Sequence, residues 1–160
     1  MARVIFSNPG KRNALTLELW RELPGRIARL DADPETRVIV LEGAGDEAFV
    51  AGADISEFER LRKDPDSARQ YDQISLAAFR SLREASRPVI AMIRGYCFGG
   101  GFALALYSDI RIAAPSARFC LPPARLGLGY GYENVRHLVD VAGPSFAREA
   151  LFTARVYTAA

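Results

Sequence analysis

The stretch GYCFGGGFALALYSD, residues 95–109, sets three consecutive glycines at the head of an apolar run. Glycine adds no side chain to a core and loses more backbone freedom on ordering than any other residue, so such a run marks a place where main chain must approach something closely. RPVIAMIRGY (87–96) before it reads as a buried strand and FALALYS (102–108) after it as a short apolar helix, which puts the glycines at a strand-to-helix junction. AGAD (51–54) stands in an equivalent place, between the β-branched run RVIVLEGAG (37–45) and the short helix ISEFERLRKD (55–64). Main-chain N–H groups at a helix start favour negative charge, and two of them converging from separate loops form an oxyanion hole. A helix crossing close over a strand would also require bare glycines. Neither motif matches GxGxxG or a P-loop, and no Lys-Ser/Thr follows the glycines, so a nucleotide phosphate cradle is not indicated.

The rest of the chain alternates in the same manner. ARVIFSN (2–8) is a strand and PGKRNAL (9–15) a turn carrying Lys11 and Arg12. TLELWRELPGRIARLDAD (16–33) is a helix capped by Thr16, with Leu17, Trp20, Leu23, Ile27 and Leu30 on one face and a kink or interruption expected at Pro24-Gly25. DSARQYDQISLAAFRSLREAS (66–86) is a longer amphipathic helix capped by Asp66 or Ser67. DIRIAAP and ARFCLP are strands, NVRHLVDVAG and PSFAREALFTA helices. The alternation predicts an α/β architecture with parallel crossovers. In VYTAA (156–160), Thr158 reads as the N-cap of a helix that would begin where the sequence stops, the mark of a truncated chain.

Composition adds exclusions. With 160 residues, 49% of them hydrophobic, and a formal charge of +2, the chain is sized for one domain. Its 21 Lys+Arg and 19 Asp+Glu interleave without a polybasic tract, which argues against a nucleic-acid partner. Two separated cysteines, Cys97 and Cys120, and a single histidine, His137, indicate neither a disulfide framework nor a metal centre. No run is long and apolar enough to span a bilayer and no leader is recognisable, so a cytoplasmic, reducing setting is expected.

Four stretches, NPGKRNAL (8–15), AFVAGADISEF (48–58), RPVIAMIRGYCFGGGFALALYSDIRIAAPSARFCLP (87–122) and GPSFAREALFTAR (143–155), resemble in this order and spacing the enoyl-CoA hydratase/isomerase family of the crotonase superfamily. The resemblance implies a spiral of ββα units binding acyl-CoA thioesters, with coenzyme A as part of the substrate and no separate cofactor, assembled as homotrimers or hexamers. It divides the chain into a core at 1–142 and, at 143–160, the start of a helical segment otherwise lacking here; a small piece of the N-terminal hairpin is lacking too. It places the oxyanion donors at the N–H groups of Ala53 and Gly100, so that the glycines keep room for a thioester carbonyl. Lys11 or Arg12 would lie near the CoA phosphates, Ala14 and Leu15 beside the pantetheine arm, and Ala51, Asp54 and Ile55 around the adenine and pantetheine pocket.

The same resemblance puts the two glutamates of the hydratases at Ala103 and Pro123, neither of which can move a proton. Two carboxylates flanking one water divide the work of base and acid, and that division is missing here. LPPARLGLGYGYENV (121–135) is similar to methylmalonyl-CoA decarboxylase-like members, which implies Tyr130 as the group orienting a substrate carboxylate, with Tyr132 interchangeable in register. Glu133 at a helix start is explained by capping, His137 by a helix face, Arg125, Glu57 and Glu59 by solvation, and the cysteines by core packing. The expectation is an acyl-CoA lyase of decarboxylase-like or other atypical chemistry; the alternative is an acyl-CoA-binding protein without turnover.

Overall fold

The computed structural model describes residues 1–159. Four strands, β1 (Ala2–Phe6), β2 (Ile39–Gly43), β4 (Val89–Ile93) and β6 (Ile110–Ala113), form one parallel sheet in the order β1-β2-β4-β6. A second sheet holds β3 (Ala48–Val50), β5 (Tyr96–Phe98) and β7 (Arg118–Cys120), all parallel, with β8 (Tyr157–Thr158) antiparallel to β7. Each turn of the chain lays one strand in the first sheet, the next in the second, and then a helix: β2-β3 leads to α2 (Phe58–Leu61) and α3 (Pro65–Glu84), β4-β5 to α4 (Gly100–Tyr107), and β6-β7 to α5 (Tyr132–Ala142) and α6 (Pro144–Thr153). This is the spiral of ββα units.

The helix preceding these turns, α1 (Leu17–Ala32), starts where Thr16 Oγ1 accepts from Leu19 N at 3.3 Å. It buries Trp20, Leu23 and Ile27 and packs on α3, where the Trp20 ring meets Phe79 edge-on at 5.1 Å. α1 runs through Pro24-Gly25 without interruption; the buried residues on either side hold the helix continuous through a missing hydrogen bond. The cap of α3 is Asp64, accepting from Ser67 N at 2.7 Å, rather than Asp66 or Ser67, because Pro65 supplies the fixed φ suited to the first helical position. The strands at 48–50 and 96–98, unseparated in the sequence reading, are independent elements: Gly95, at φ +59 and packed against the Glu47 carbonyl, turns the chain from the first sheet to the second. Thr158 lies in β8 opposite Arg118 instead of capping a helix, because β7 offers it a pairing partner.

α4 is apolar all round and buried from Gly101 to Tyr107, which is how a helix enclosed by sheet and helices must read. Inside the first sheet, Glu42 is 4% exposed and is neutralised by Arg3, whose Nη2 donates to Oε2 at 2.6 Å.

Candidate active site

The three parallel strands of the second sheet end side by side, and their C-terminal loops, 51–54, 99–101 and 121–123, converge. Leu15 fixes the first loop: its N–H donates to Gly52 O and its carbonyl accepts from Asp54 N, each at 2.8 Å. That pairing turns the intervening Ala53 N–H to the opposite side. The second loop is pinned by Gly99 N donating to Cys120 O at 2.8 Å, and Gly99 takes φ +50, which a side chain would resist. Gly100 opens α4, so its N–H lies in the first turn and has no partner within the helix. A Cβ on Gly100 would stand 3.7 Å from Ala53 N. The two N–H groups are thus neighbours, and neither donates to an acceptor among the described residues. Each glycine has its own constraint: a side chain on Gly100 would come within 2.8 Å of the Trp20 ring, and one on Gly101 would collide with the Val50 carbonyl. Packing of α4 over β3, not room for a ligand, therefore keeps Gly101 bare.

Two cavities meet at these loops. The larger, about 490 Å³, is lined by Ala51, Gly52, Ala53, Gly99 and Gly100 together with Phe58, Leu126, Tyr130 and Asn134. Its carboxylates, Asp72 and Glu133, are paired with Arg62 at 2.9 Å and Arg80 at 2.6 Å. The smaller chamber, about 120 Å³, is lined by Ala53, Gly99, Gly100, Ala103, Trp20, Tyr71, Ser75, Phe79, Tyr130 and Asn134, with no carboxylate among the described residues. Ala103 is on its wall; Pro123 lines the larger cavity. The Tyr130 hydroxyl is buried without a hydrogen-bond partner, and burial pushes its pKa up, so it stays protonated and available as a donor.

A groove outside these cavities, about 590 Å³, runs past Lys11, Arg12, Ala14, Ala51, Ala53, Asp54 and Ile55. Its cations are already engaged. Lys11 Nζ donates to Asp54 Oδ2 and Ser56 Oγ, both at 2.7 Å, and Arg12 Nε donates to Glu47 Oε1 at 2.7 Å with its guanidinium 4.7 Å from the Tyr96 ring centroid. Burial alone would lift the Asp54 carboxyl, but hydrogen bonds from Lys11 and Ser56 outweigh it and hold it below its usual value. Leu15 contributes through main chain only, its side chain being 1% exposed.

The family model for enoyl-CoA hydratase/isomerase matches residues 1–160. The chain belongs to the enoyl-CoA hydratase/isomerase family. It is 33% identical over 99% of its length to a crotonyl-CoA hydratase of Syntrophomonas wolfei and 35% identical over 95% to a carnitinyl-CoA dehydratase of Proteus mirabilis, covering 60% and 57% of those proteins. Among solved structures, an enoyl-CoA hydratase/carnithine racemase from Magnetospirillum magneticum superposes with a TM-score of 0.95 at 38% identity, over 98% of this chain and 59% of that one. The chain thus spans about 60% of the length of the relatives it matches.

Within this member of the family, the remaining polar residues of the sequence reading are placed away from the paired N–H groups. Tyr132 is 81% exposed, leaving Tyr130 as the buried member of the pair. Glu57 accepts from Leu17 N at 2.8 Å and so serves the start of α1, while Glu59 and Arg125 are exposed. His137 Nε2 bonds the Leu106 carbonyl at 3.0 Å. Burial raises the pKa of both thiols, which is the opposite of what a nucleophile needs. Among the described residues no group of three His, Cys, Asp or Glu side chains could hold a metal ion, and no helix is long and apolar enough to cross a membrane. Sequence reasoning missed Trp20, Tyr71 and Asn134 as chamber components and Tyr107 as the residue bonded to Asn134. Trp20 Nε1 donates to Tyr71 Oη at 3.0 Å, and Tyr107 Oη donates to Asn134 Oδ1 at 3.1 Å. Their spacing in the sequence reads as ordinary core-facing helix periodicity, which carries no signal of a shared cavity.

Proposed function

We propose that this chain forms the thioester-binding site of an acyl-CoA enzyme, in which the N–H groups of Ala53 and Gly100 take the negative charge that develops on the thioester oxygen. The observation carrying this reading is the adjacency of two unpaired main-chain donors at the edge of a chamber. Preorganised donors of this kind reduce a barrier without reorganising during the reaction. The relatives named crotonyl-CoA hydratase and carnitinyl-CoA dehydratase support a CoA thioester as substrate. Lys11 and Arg12 then lie on the groove suited to the CoA phosphates, with Ala14, Ala51, Asp54 and Ile55 along the same groove and Leu15 supporting it from below.

With Ala103 and Pro123 where hydratases carry their glutamates, the reaction favoured is one that needs no pair of carboxylates. In decarboxylation of a malonyl-type thioester the bond from the α-carbon to the carboxylate breaks, its electron pair passes into the thioester as an enolate, and carbon dioxide leaves. A proton then adds to the α-carbon. Tyr130 would orient the departing carboxylate. The wider assembly proposed is the family's homotrimer or hexamer in a cytoplasmic setting, with the segment from residue 143 opening its helical part; no cofactor beyond the CoA of the substrate is required.

The test is a mass-spectrometric assay of the full-length protein with crotonyl-CoA, malonyl-CoA and methylmalonyl-CoA. Loss of carbon dioxide that disappears in Tyr130→Phe is expected. Hydration of crotonyl-CoA without decarboxylation would overturn the reaction proposed, and binding without turnover of any substrate would establish an acyl-CoA-binding protein instead.

A further inference from the structure

The small chamber lined by Ala53 and Gly100 also carries side-chain hydroxyl and amide groups and, among the described residues, no charge. The Tyr130 hydroxyl is buried, protonated and without a partner. Asn134, from the first turn of α5, lines the same chamber, and its side-chain orientation is set by a second residue. The Tyr107 hydroxyl donates to Asn134 Oδ1 at 3.1 Å, which commits the amide oxygen and turns the NH2 group away from Tyr107. Asn134 Nδ2 stands 4.0 Å from where a Cβ of Gly131 would be, on the side of the Tyr130 loop, and finds no acceptor among the described residues. Tyr107 is itself immobilised, 4% exposed and stacked on Phe79 at 5.2 Å. A buried hydroxyl without an acceptor is costly unless something that binds there accepts from it, and the half-buried Asn134 amide lines the same chamber with a second free donor. Among the described residues no cation lines this chamber, so an acceptor there is met by hydrogen bonds alone.

We infer that Tyr130 and Asn134 form an acceptor-recognising end of the acyl chamber, with Tyr107 as the positioning residue, selecting acyl thioesters that carry an oxygen acceptor beyond the α-carbon over apolar acyl groups of the same shape. Trp20 and Phe79 close the chamber behind them. The inference rests on the reading that Ala53 and Gly100 hold the thioester carbonyl, but not on decarboxylation: any acceptor on the β-carbon satisfies the two donors.

The experiment compares equilibrium binding of two unreactive isosteres to the full-length protein by calorimetry. One is the primary amide of malonyl-CoA, 3-amino-3-oxopropanoyl-CoA; the other is 3-methylbutanoyl-CoA. Two neutral hydrogen bonds made in place of none predict about a tenfold preference for the amide. Tyr130→Phe and Asn134→Asp each reduce the preference; the aspartate keeps the acceptor for Tyr107 and lacks the NH2 donor. Tyr107→Phe, which touches no ligand, lowers the preference by about threefold, an effect that loss of packing alone would not confine to one ligand. Near-UV circular dichroism of each variant verifies its fold. Equal affinity of the unaltered protein for the two thioesters, or a preference that survives both Asn134→Asp and Tyr107→Phe, overturns the inference while leaving thioester binding intact. Failure of both thioesters to bind overturns thioester binding and the inference together, and an amide preference without any carbon dioxide release from malonyl-CoA supports the inference while removing only the decarboxylase reading.

Discussion

The two walls of the chamber are built on opposite principles. One consists of main chain: Ala53 and Gly100, set by the ends of β3 and β5 and by the bridge to Leu15, offer N–H groups whose positions follow from strand pairing. The other consists of side chains, Tyr130, Asn134, Tyr71 and Ser75, brought together from α3, α5 and the loop before α5. A main-chain donor is removed only by proline, which also fixes φ, and is otherwise only displaced, whereas a side-chain donor can be deleted without touching the fold. The first wall therefore suits a task shared by many substrates, and the second suits a task that changes with the acyl group.

Displacing the main-chain wall gives the largest expected effect. Gly100→Ala drives a methyl to within 2.8 Å of the Trp20 ring and must shift either the ring or the start of α4. Loss of one oxyanion donor typically costs about 100- to 1,000-fold in kcat, so turnover of a CoA thioester should fall by about that factor in steady-state assays. A variant retaining more than a tenth of the activity would mean that Gly100 N–H is not used.

This contrast also explains what the sequence made legible. Bare glycines at strand-to-helix junctions announce main-chain chemistry locally, and the spiral followed from alternation plus resemblance. The short strands 48–50 and 96–98 were hidden because Gly95 splits one apolar run between two sheets, and three-residue strands have too few positions to display a period. The polar chamber wall was hidden for a different reason: Tyr71 and Asn134 lie on separate helices that only tertiary packing brings to one cavity, and Tyr107, which bonds Asn134, comes from a third.

A smaller effect is expected at the charged mouth. Lys11→Ala removes a cation from the groove and also leaves the buried Asp54 carboxylate without its ion pair. KM for a CoA thioester should rise by about three- to tenfold with kcat little altered, and the rise should shrink in high salt, where such attractions are screened. An equal fall in kcat would instead assign Lys11 to the reacting end.

The pair has a pH signature as well. Asp54 is held below its ordinary value in the folded chain, so the unfolded state binds its proton first as pH falls. Its contribution is fully present above the unfolded value of about 3.9 and is lost as pH drops through the lower native one. Thermal midpoints measured from pH 6 down to pH 3 should therefore fall less steeply below pH 4 in Asp54→Asn than in the unaltered chain; parallel curves would show that the carboxylate adds nothing to stability.

The smallest effect should come from Glu133, although it is one of the two carboxylates lining the larger cavity. Arg80 donates to both of its oxygens, at 2.9 and 2.6 Å, tying α5 to α3. The hydrogen bond from Arg80 outweighs the opposing effect of burial and keeps the carboxyl below its usual value, so at neutral pH it carries no proton to give. As a base it is equally compromised, since Arg80 occupies both oxygens. Glu133→Gln keeps the shape and one hydrogen bond to Arg80. Turnover should stay within about twofold, because an ion pair this exposed contributes little by its charge. A loss of 100-fold or more would fall in the range of general acid–base catalysis and make Glu133 the proton carrier. The comparison of the two walls would then need a third partner, a carboxylate acting from the cavity mouth.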